Sequence, residues 1–175
     1  PIDVNFKPDG TKMYILAAGS ESVSEYDLST AWDLSTAPST ASRSYSVTTQ
    51  AGDPYGFRFK SDGTKMYVVD TGDGAVYQYS LSTAWNVSTA SYDSVSFSLS
   101  AQDGSNIGMR FSPSGDALYV SGYANDSVYE YTLASSFSVS GASYSGTSLS
   151  VTTVASNPRG FAFKDDFTKM YILEL

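Results

Sequence analysis

The stretch Phe57-Arg58-Phe59-Lys60-Ser61-Asp62-Gly63-Thr64-Lys65-Met66-Tyr67-Val68-Val69 recurs in related form at residues 4–16, 109–121 and 161–173. Two aromatic positions mark each copy. They are Phe6, Phe59, Phe111 and Phe163, spaced by 53, 52 and 52 residues, and Tyr14, Tyr67, Tyr119 and Tyr171 with the same spacing. A period of about 50 residues is typical of propellers and related repeat folds, in which each unit buries its faces against its neighbours. The sequence therefore predicts an array of similar sheets.

Each repeat contains four short segments with the composition of β-strands. The first alternates apolar and polar residues, and the second is continuously apolar, as in a strand that is buried on both faces. The outermost segments, residues 42–48, 94–100 and 147–153, alternate apolar residues with Ser and Thr, which is typical of a half-exposed strand near a sheet edge. This gradient of burial predicts propeller blades of four antiparallel strands.

A tight turn joins the first two strands of each repeat. The first three copies read Pro8-Asp9-Gly10, Ser61-Asp62-Gly63 and Pro113-Ser114-Gly115. Glycine at the third position can adopt a positive φ at little cost. The fourth copy has Phe167 at that position, where the same geometry would cost about 1 kcal/mol, so we expect a distorted turn there.

Aromatic side chains are predicted to pack between repeats. Trp32, Trp85 and Phe137 follow the third strand at matching positions, where they can fill the gap between adjacent units. We also expect the repeated tyrosines to pack inside the blades rather than to form sugar-stacking platforms.

The predicted fold is all-β, with about 52 residues in each blade. The repeats span approximately residues 1–53, 54–105, 106–157 and 158–175, which makes three full blades and half of a fourth. Because a propeller closes with about 4 to 8 blades, we expect the remaining blades to come from the same or another chain. The chain begins with Pro1 inside a repeat, so it is expected to be a segment of a longer protein. A β-solenoid or a fibre is the alternative architecture.

The composition limits the possible functions. The chain of 175 residues is 41% hydrophobic and has a net charge of −8, which indicates a globular protein that neither nucleic acid nor an anionic lipid surface would attract. It contains no Cys and no His, so thiolate chemistry, His-ligated zinc and imidazole-based triads are excluded. No apolar run approaches the roughly 20 residues of a membrane-spanning helix.

Residues 54–69 resemble the repeat unit of YVTN and lactonase-like seven-bladed β-propellers, with Pro54, Gly56 and the Ser61-Asp62-Gly63 turn at matching places. The continuation through residues 76–92 is similar to uncharacterised tandem-repeat proteins of marine bacteria and their phages. The resemblance implies a propeller that could serve in a surface layer, in adhesion, as a scaffold or as an enzyme. Lactonase-type members use metal-binding acidic and His or Asn positions, and no such set can be matched in this sequence.

Five residues are candidates for ligand binding. Arg58 and Arg110 occupy the same position of the innermost strand, where a ring of cations could hold a carboxylate or a phosphate. The alternative is a structural ion pair with Asp53, Asp62 or Asp103. Three further residues share one position of the loop that returns to the innermost strand and differ from copy to copy, as residues of a binding rim do; they are Tyr55, Ile107 and Arg159.

Asp70 and Asp73 could supply oxygen ligands to Ca²⁺, the one cofactor that the sequence suggests. The alternative is a solvated turn without a metal, because the spacing falls short of a complete calcium-binding loop.

These observations lead to one main function and two alternatives. We expect a non-catalytic interaction or scaffold module of a secreted, cell-surface or virion protein, which uses its loops to attach to a protein or glycan surface. The first alternative is a Ca²⁺-dependent lactonase-like or lyase-like propeller enzyme with its site at the mouth of the channel. The second is a subunit of a β-rich extracellular filament, built by pairing of exposed strand edges.

Overall fold

The computed structural model describes residues 1–156 and 158–174, and these residues form an all-β protein. Asn157 and Leu175, which end two of the predicted repeats, lie outside the described residues. The strands are β1 (Asp3–Phe6), β2 (Lys12–Ala17), β3 (Ser22–Asp27), β4 (Arg43–Ser46), β5 (Pro54–Phe59), β6 (Lys65–Asp70), β7 (Ala75–Leu81), β8 (Ala90–Ser98), β9 (Asn106–Phe111), β10 (Ala117–Gly122), β11 (Ser127–Thr132), β12 (Ser143–Ser150), β13 (Pro158–Phe163) and β14 (Met170–Glu174). Two short 3₁₀ turns, Leu34–Thr36 and Val87–Thr89, are the only helical segments of the described residues, and none of these segments could cross a membrane.

The strands form three four-stranded sheets and one two-stranded sheet. The orders are β1-β2-β3-β4, β5-β6-β7-β8, β9-β10-β11-β12 and β13-β14, with every neighbouring pair antiparallel. Each sheet lies inside one predicted repeat, and β1, β5, β9 and β13 are the innermost strands. The predicted fold class is confirmed: the chain forms three β-propeller blades and the inner half of a fourth, arranged as an open series of sheets.

Aromatic side chains pack across the blade interfaces. Tyr14 of the first sheet is fully buried, and its ring lies 4.5 Å from that of Phe59 in the second sheet. Its hydroxyl donates a hydrogen bond of 2.7 Å to the carbonyl oxygen of Trp85. Tyr67 repeats these contacts one interface later, with Phe111 and with the carbonyl oxygen of Phe137. The predicted packing roles of Tyr14, Tyr67, Trp85 and Phe137 are confirmed, and burial raises the pKa of both tyrosines. Trp32 and Tyr171, for which the same packing was predicted, are each 59% exposed.

The predicted distortion of the fourth turn is wrong. Phe167 adopts a φ of 57°, close to the 72° of Gly63, and its N–H donates to Lys164 as that of Gly63 donates to Lys60. The cost of this conformation is offset by packing, because the ring of Phe167 stacks on Phe163 at 4.6 Å. It thereby occupies the place that Trp85 holds beside Phe59 in the second sheet.

A buried carboxylate joins the first two sheets. Glu25 of β3 is fully buried, and its Oε2 accepts the N–H of Val87 from the next sheet at 2.9 Å. Its other oxygen accepts hydrogen bonds from Lys12 and Arg43, so the charge is paired. Gln78, at the same position of β7, accepts the N–H of Val139 at 3.1 Å. A side-chain oxygen of the third strand therefore binds the backbone of the following blade at both interfaces.

The outermost strands differ from their predicted bounds. The strand predicted at residues 42–48 is shorter, and those predicted at 94–100 and 147–153 begin four residues earlier. In the second sheet, β8 extends to Ala90 through a bulge beside Gln78 and Tyr79. The added residues pair with β7, and Tyr92 among them packs against Tyr79 with ring centroids 5.6 Å apart. The sequence pattern of this polar segment did not reveal that contact.

Replacement of Gly63 by Ala tests the turn. Gly63 has a positive φ, and a Cβ at this position would overlap the ring of Trp85. We expect Gly63→Ala to lower the free energy of unfolding by about 1 to 3 kcal/mol, measured by urea denaturation. Gly52→Ala is the matched control, because Gly52 has no positive φ and a Cβ there would contact nothing within 4 Å. Equal stability of the two variants would contradict the packing described for Trp85.

Replacement of Glu25 by Ala tests the buried carboxylate. The change leaves the N–H of Val87 without its acceptor and leaves Lys12 without one of its two carboxylate partners. We expect a loss of about 3 to 5 kcal/mol in the free energy of unfolding, as for other broken buried ion pairs. The control Asp27→Ala should cost less than about 1 kcal/mol, because that side chain is 46% exposed. A smaller effect at Glu25 than at Asp27 would refute the role of the buried carboxylate.

Candidate functional site

The innermost strands surround a cavity of about 360 Å³. Its wall brings together all five residues that the sequence analysis proposed for binding, Tyr55, Arg58, Ile107, Arg110 and Arg159, although their function as ligand contacts stays a prediction. Asp3 and Tyr171 also line this cavity. We call it the arginine cavity.

The rim residues reach the arginine cavity through β-bulges. The pairing of β5 with β6 shifts between Pro54 and Gly56, so Tyr55 is an extra residue without a direct partner. Ile107 and Arg159 are the corresponding extra residues of β9 and β13. A bulge can re-aim a side chain away from the regular alternation of a strand, and bulges are frequent beside active sites. The three variable positions are therefore presented by the same backbone feature.

Arg58 pairs with Asp3 of the preceding sheet. The guanidinium Nη1 lies 2.5 Å from the carboxylate Oδ2, and Arg58 also donates to the carbonyl oxygen of Phe57. Burial lowers the pKa of Arg58, and Asp3 opposes that effect. Because arginine retains its proton throughout the physiological range, the group stays charged in the cavity wall.

The predicted carboxylate partners of the arginines, Asp53, Asp62 and Asp103, are wrong. Asp62 pairs with Lys60 of its own turn, which together with Thr64 lowers the pKa of Asp62 to about 2. Asp103 is buried and accepts the backbone N–H groups of Ser105 and Asn125 at 2.8 and 2.9 Å. A carboxylate next to a turn can accept hydrogen bonds from nearby backbone N–H groups instead of pairing with an arginine. Its ionic partner therefore cannot be inferred from proximity in sequence.

Arg110 and Arg159 take part in none of the ion pairs found among residues 1–156 and 158–174. Arg110 donates a hydrogen bond of 2.8 Å to the carbonyl oxygen of Met109 and lies 5.8 Å from the ring centre of Phe161. Arg159 is exposed and lies 4.7 Å from the ring centre of Tyr123. Both guanidinium groups therefore have donors that could bind an anion in the cavity.

Asp3 is the acidic residue of the cavity wall that the sequence analysis did not identify. Its Oδ2 accepts the N–H of Phe57 at 3.0 Å as well as the bond from Arg58, and its Oδ1 accepts the N–H of Val4 at 2.9 Å. The corresponding residues of the other repeats are Gly56, Gly108 and Gly160. The first repeat thus has an aspartate where the other three have glycine, and this difference in the sequence could have identified Asp3.

Asp70 and Asp73 lie outside the arginine cavity and have structural partners. The two oxygens of Asp70 accept the N–H groups of Asp73 and Asp53, each at 2.7 Å, and Asp73 accepts the hydroxyl of Tyr77 at 2.8 Å. Within the part of the chain that the structure describes, no group of three acidic, His or Cys residues could hold a metal ion. This arrangement fits a capped turn rather than a Ca²⁺ site, and Ca²⁺ binding here stays an untested prediction.

Comparison with known proteins identifies the fold but no family. No protein-family model matches the chain, and no curated protein matches its sequence. A proposed 6-phosphogluconolactonase from Bacteroides fragilis matches its structure with a TM-score of 0.69 at 15% identity, covering 97% of this chain and 46% of that chain. The periplasmic gluconolactonase PpgL of Pseudomonas aeruginosa matches with 0.60 at 15% identity, covering 97% and 45%. The Cps50 (Swd1) β-propeller domain of Myceliophteria thermophila matches with 0.56 at 13%, covering 90% and 45%.

These matches correct our predictions that the protein is a non-catalytic module and not an enzyme. Structures that resemble it include a proposed 6-phosphogluconolactonase and a periplasmic gluconolactonase. The predictions depended on the absence of His and Cys, but arginine can stabilise an anionic transition state without either. The chain spans less than half the length of each of these similar proteins.

The two central arginines should differ in their effect on stability. Arg58→Ala removes the partner of Asp3, whereas Arg110→Ala removes a side chain with no carboxylate partner among the described residues. We expect the first change to lower the free energy of unfolding by about 3 to 5 kcal/mol and the second by less than about 1 kcal/mol, measured by urea denaturation. The opposite order would show that Arg110, rather than Arg58, supports the fold.

Proposed function

We propose that this chain forms part of a lactonase-like propeller enzyme and that its arginine cavity binds the substrate. The observation that carries the proposal is the presence of two arginines, Arg110 and Arg159, that have no carboxylate partner within residues 1–156 and 158–174, beside the paired Arg58. The structural similarity to lactonases supports the choice of reaction.

The charge of the cavity suits the chemistry of lactone hydrolysis. Attack of water on the carbonyl carbon of a lactone places negative charge on the carbonyl oxygen, and a fixed guanidinium can stabilise that charge in a site from which water is partly excluded. A volume of about 360 Å³ lies within the range of small-molecule sites. Tyr55 and Tyr171 add aromatic surface and hydroxyl groups to the same wall.

The residues can be assigned separate roles. Arg110 would stabilise the oxyanion, and Arg159 at the rim would bind an anionic group elsewhere on the substrate. Asp3 would accept a proton from the attacking water while Arg58 holds its carboxylate in place. The new bond joins the water oxygen to the carbonyl carbon, the ring C–O bond breaks, and the proton passes to the leaving alkoxide. The product is an open-chain hydroxy acid.

The similar proteins are about twice as long as this chain. The proposal therefore covers only the residues that this chain contributes to the site. A location outside the cytoplasm is also a proposal, supported by the periplasmic location of one similar protein. The relationship to marine bacterial and phage proteins stays a prediction.

Hydrolysis of lactones by the purified protein that contains this chain would test this function. The rate of acid release is measured in a pH-stat with a panel of sugar-acid lactones, with and without a phosphate or carboxylate group. We expect Arg110→Ala to lower kcat/KM by about 10²-fold to 10³-fold. Asp3→Asn should lower kcat more than it raises KM, because the amide can still accept the N–H of Phe57 but cannot accept a proton from water.

Lys164→Ala is the matched control, because it removes one positive charge from an exposed turn and from an ion pair with Asp166 outside the cavity. We expect its kcat/KM to stay within about twofold of the parent protein. The proposal would be refuted if no lactone were hydrolysed above the rate in buffer, or if Arg110→Ala and Lys164→Ala retained the same activity.

A further inference from the structure

Arg159 of the arginine cavity contacts an aromatic ring from the preceding sheet. Its guanidinium carbon lies 4.7 Å from the ring centre of Tyr123, which is 37% exposed in the turn between β10 and β11. A guanidinium over an aromatic ring within about 6 Å is attracted by the quadrupole of that ring. Tyr123, which the sequence analysis did not select, is therefore in contact with a proposed substrate-binding group.

The turn that carries Tyr123 is fixed to the loop before β9. The N–H of Tyr123 donates to the carbonyl oxygen of Ser105 at 2.7 Å. The buried carboxylate of Asp103 accepts the N–H of Asn125 at 2.9 Å, and it occupies the space that a Cβ on Gly122 would fill. These contacts fix the backbone on both sides of Tyr123, so the ring has a defined place beside the start of β13.

The residue at this position of the turn also reaches the next repeat from the second sheet. Thr71 matches Tyr123 there, and its hydroxyl donates to the carbonyl oxygen of Asn106, the first residue of β9, at 2.7 Å. Tyr123 likewise contacts the start of β13, at its second residue, Arg159. The matching residue of the first repeat is Ala18, which has no side chain beyond Cβ. Among these matched positions, the third repeat alone supplies an aromatic ring.

We propose that Tyr123 is a positioning residue, which holds the guanidinium of Arg159 where it binds the anionic group of a charged lactone. This inference rests on the proposed function of the arginine cavity. Attraction to the ring leaves the guanidinium with N–H donors for the oxygens of a carboxylate or a phosphate. The contact also restricts a long and flexible side chain before the substrate arrives, which reduces the entropy that is lost on binding.

Tyr123 thereby affects which lactones the site prefers. An anionic group that binds Arg159 adds affinity that an uncharged lactone with the same ring lacks. Because this group lies away from the bond that breaks, its interaction is equally strong in the bound substrate and in the transition state. Loss of such an interaction raises KM and leaves kcat unchanged. A change at Tyr123 should therefore affect KM, and only for charged lactones.

Hydrolysis of a matched pair of lactones by the purified protein that contains this chain tests the preference. One substrate is an uncharged sugar-acid lactone, and the other is the same lactone with a phosphate group. We expect Tyr123→Ala to raise KM for the phosphorylated lactone by about fivefold, with kcat and both constants of the uncharged lactone within about twofold of the parent values. Tyr123→Phe keeps the ring and should stay within about twofold for both substrates.

Tyr144→Ala is the matched control for the loss of an exposed tyrosine. Tyr144 has nearly the same exposed fraction as Tyr123, but it belongs to β12 and is not part of the cavity wall. The ratio of kcat/KM between the two lactones should be unchanged in this variant. If the protein hydrolyses lactones and Tyr123→Ala keeps the parent ratio, the positioning role is overturned while the proposed function stands.

Binding of inorganic phosphate tests Tyr123 without hydrolysis. By titration calorimetry of the same protein, we expect the Kd for phosphate to rise about fivefold in Tyr123→Ala and about tenfold in Arg159→Ala, and to stay within about twofold in Tyr123→Phe. Tyr123→Ala should have no further effect when Arg159→Ala is already present, because the two residues act as one unit. This result without any lactone hydrolysis would refute the proposed function and support the positioning role. Equal affinity of Tyr123→Ala and the parent, or a parent that does not bind phosphate, would overturn the positioning role.

Discussion

The packing of each sheet against the next is the constraint on which the structure depends. A single sheet of this protein would leave its apolar faces exposed to solvent, and these faces become buried only where two sheets pack together. At each such interface a tyrosine, a second aromatic side chain and a side-chain hydrogen-bond acceptor contact the neighbouring sheet. Tyr14, Phe59 and Trp85 form this contact once, and Tyr67, Phe111 and Phe137 form it again. The fourth sheet keeps the aromatic contact with Phe167 in place of the usual residue.

The same stacking produces the candidate site. The innermost strands of successive sheets contact one another and bring residues from four repeats to one cavity. Bulges in three of these strands present variable side chains to the cavity, while the regular pairing of the remaining strand residues preserves the sheet. The replacement of the repeated glycine by Asp3 then introduces a carboxylate beside Arg58. A regular scaffold thus supports an irregular and chemically distinct centre.

The absence of histidine and cysteine led our sequence analysis away from catalysis, and this inference was too strong. Those residues are common acids, bases and nucleophiles, but charge stabilisation by arginine needs neither of them. The proposed function depends instead on the distribution of arginines relative to their carboxylate partners. Arg58 is paired, whereas Arg110 contacts a backbone carbonyl and an aromatic ring, and this difference exists only between residues that are far apart in sequence.

The sequence by itself determined the repeat length, the four-stranded unit, the glycine turns and the packing role of Tyr14 and Tyr67, because each depends on a local pattern that recurs every 52 or 53 residues. It also brought out five residues that line the arginine cavity, Tyr55, Arg58, Ile107, Arg110 and Arg159, by their shared repeat positions, but it missed Asp3. Only the tertiary structure decided that Asp3 pairs with Arg58, that Glu25 binds the backbone at Val87, and that Phe167 replaces an interface aromatic. Each of these outcomes is a contact between side chains and backbone groups that fold together in space. The sequence pattern of a single repeat does not show which of these groups will meet.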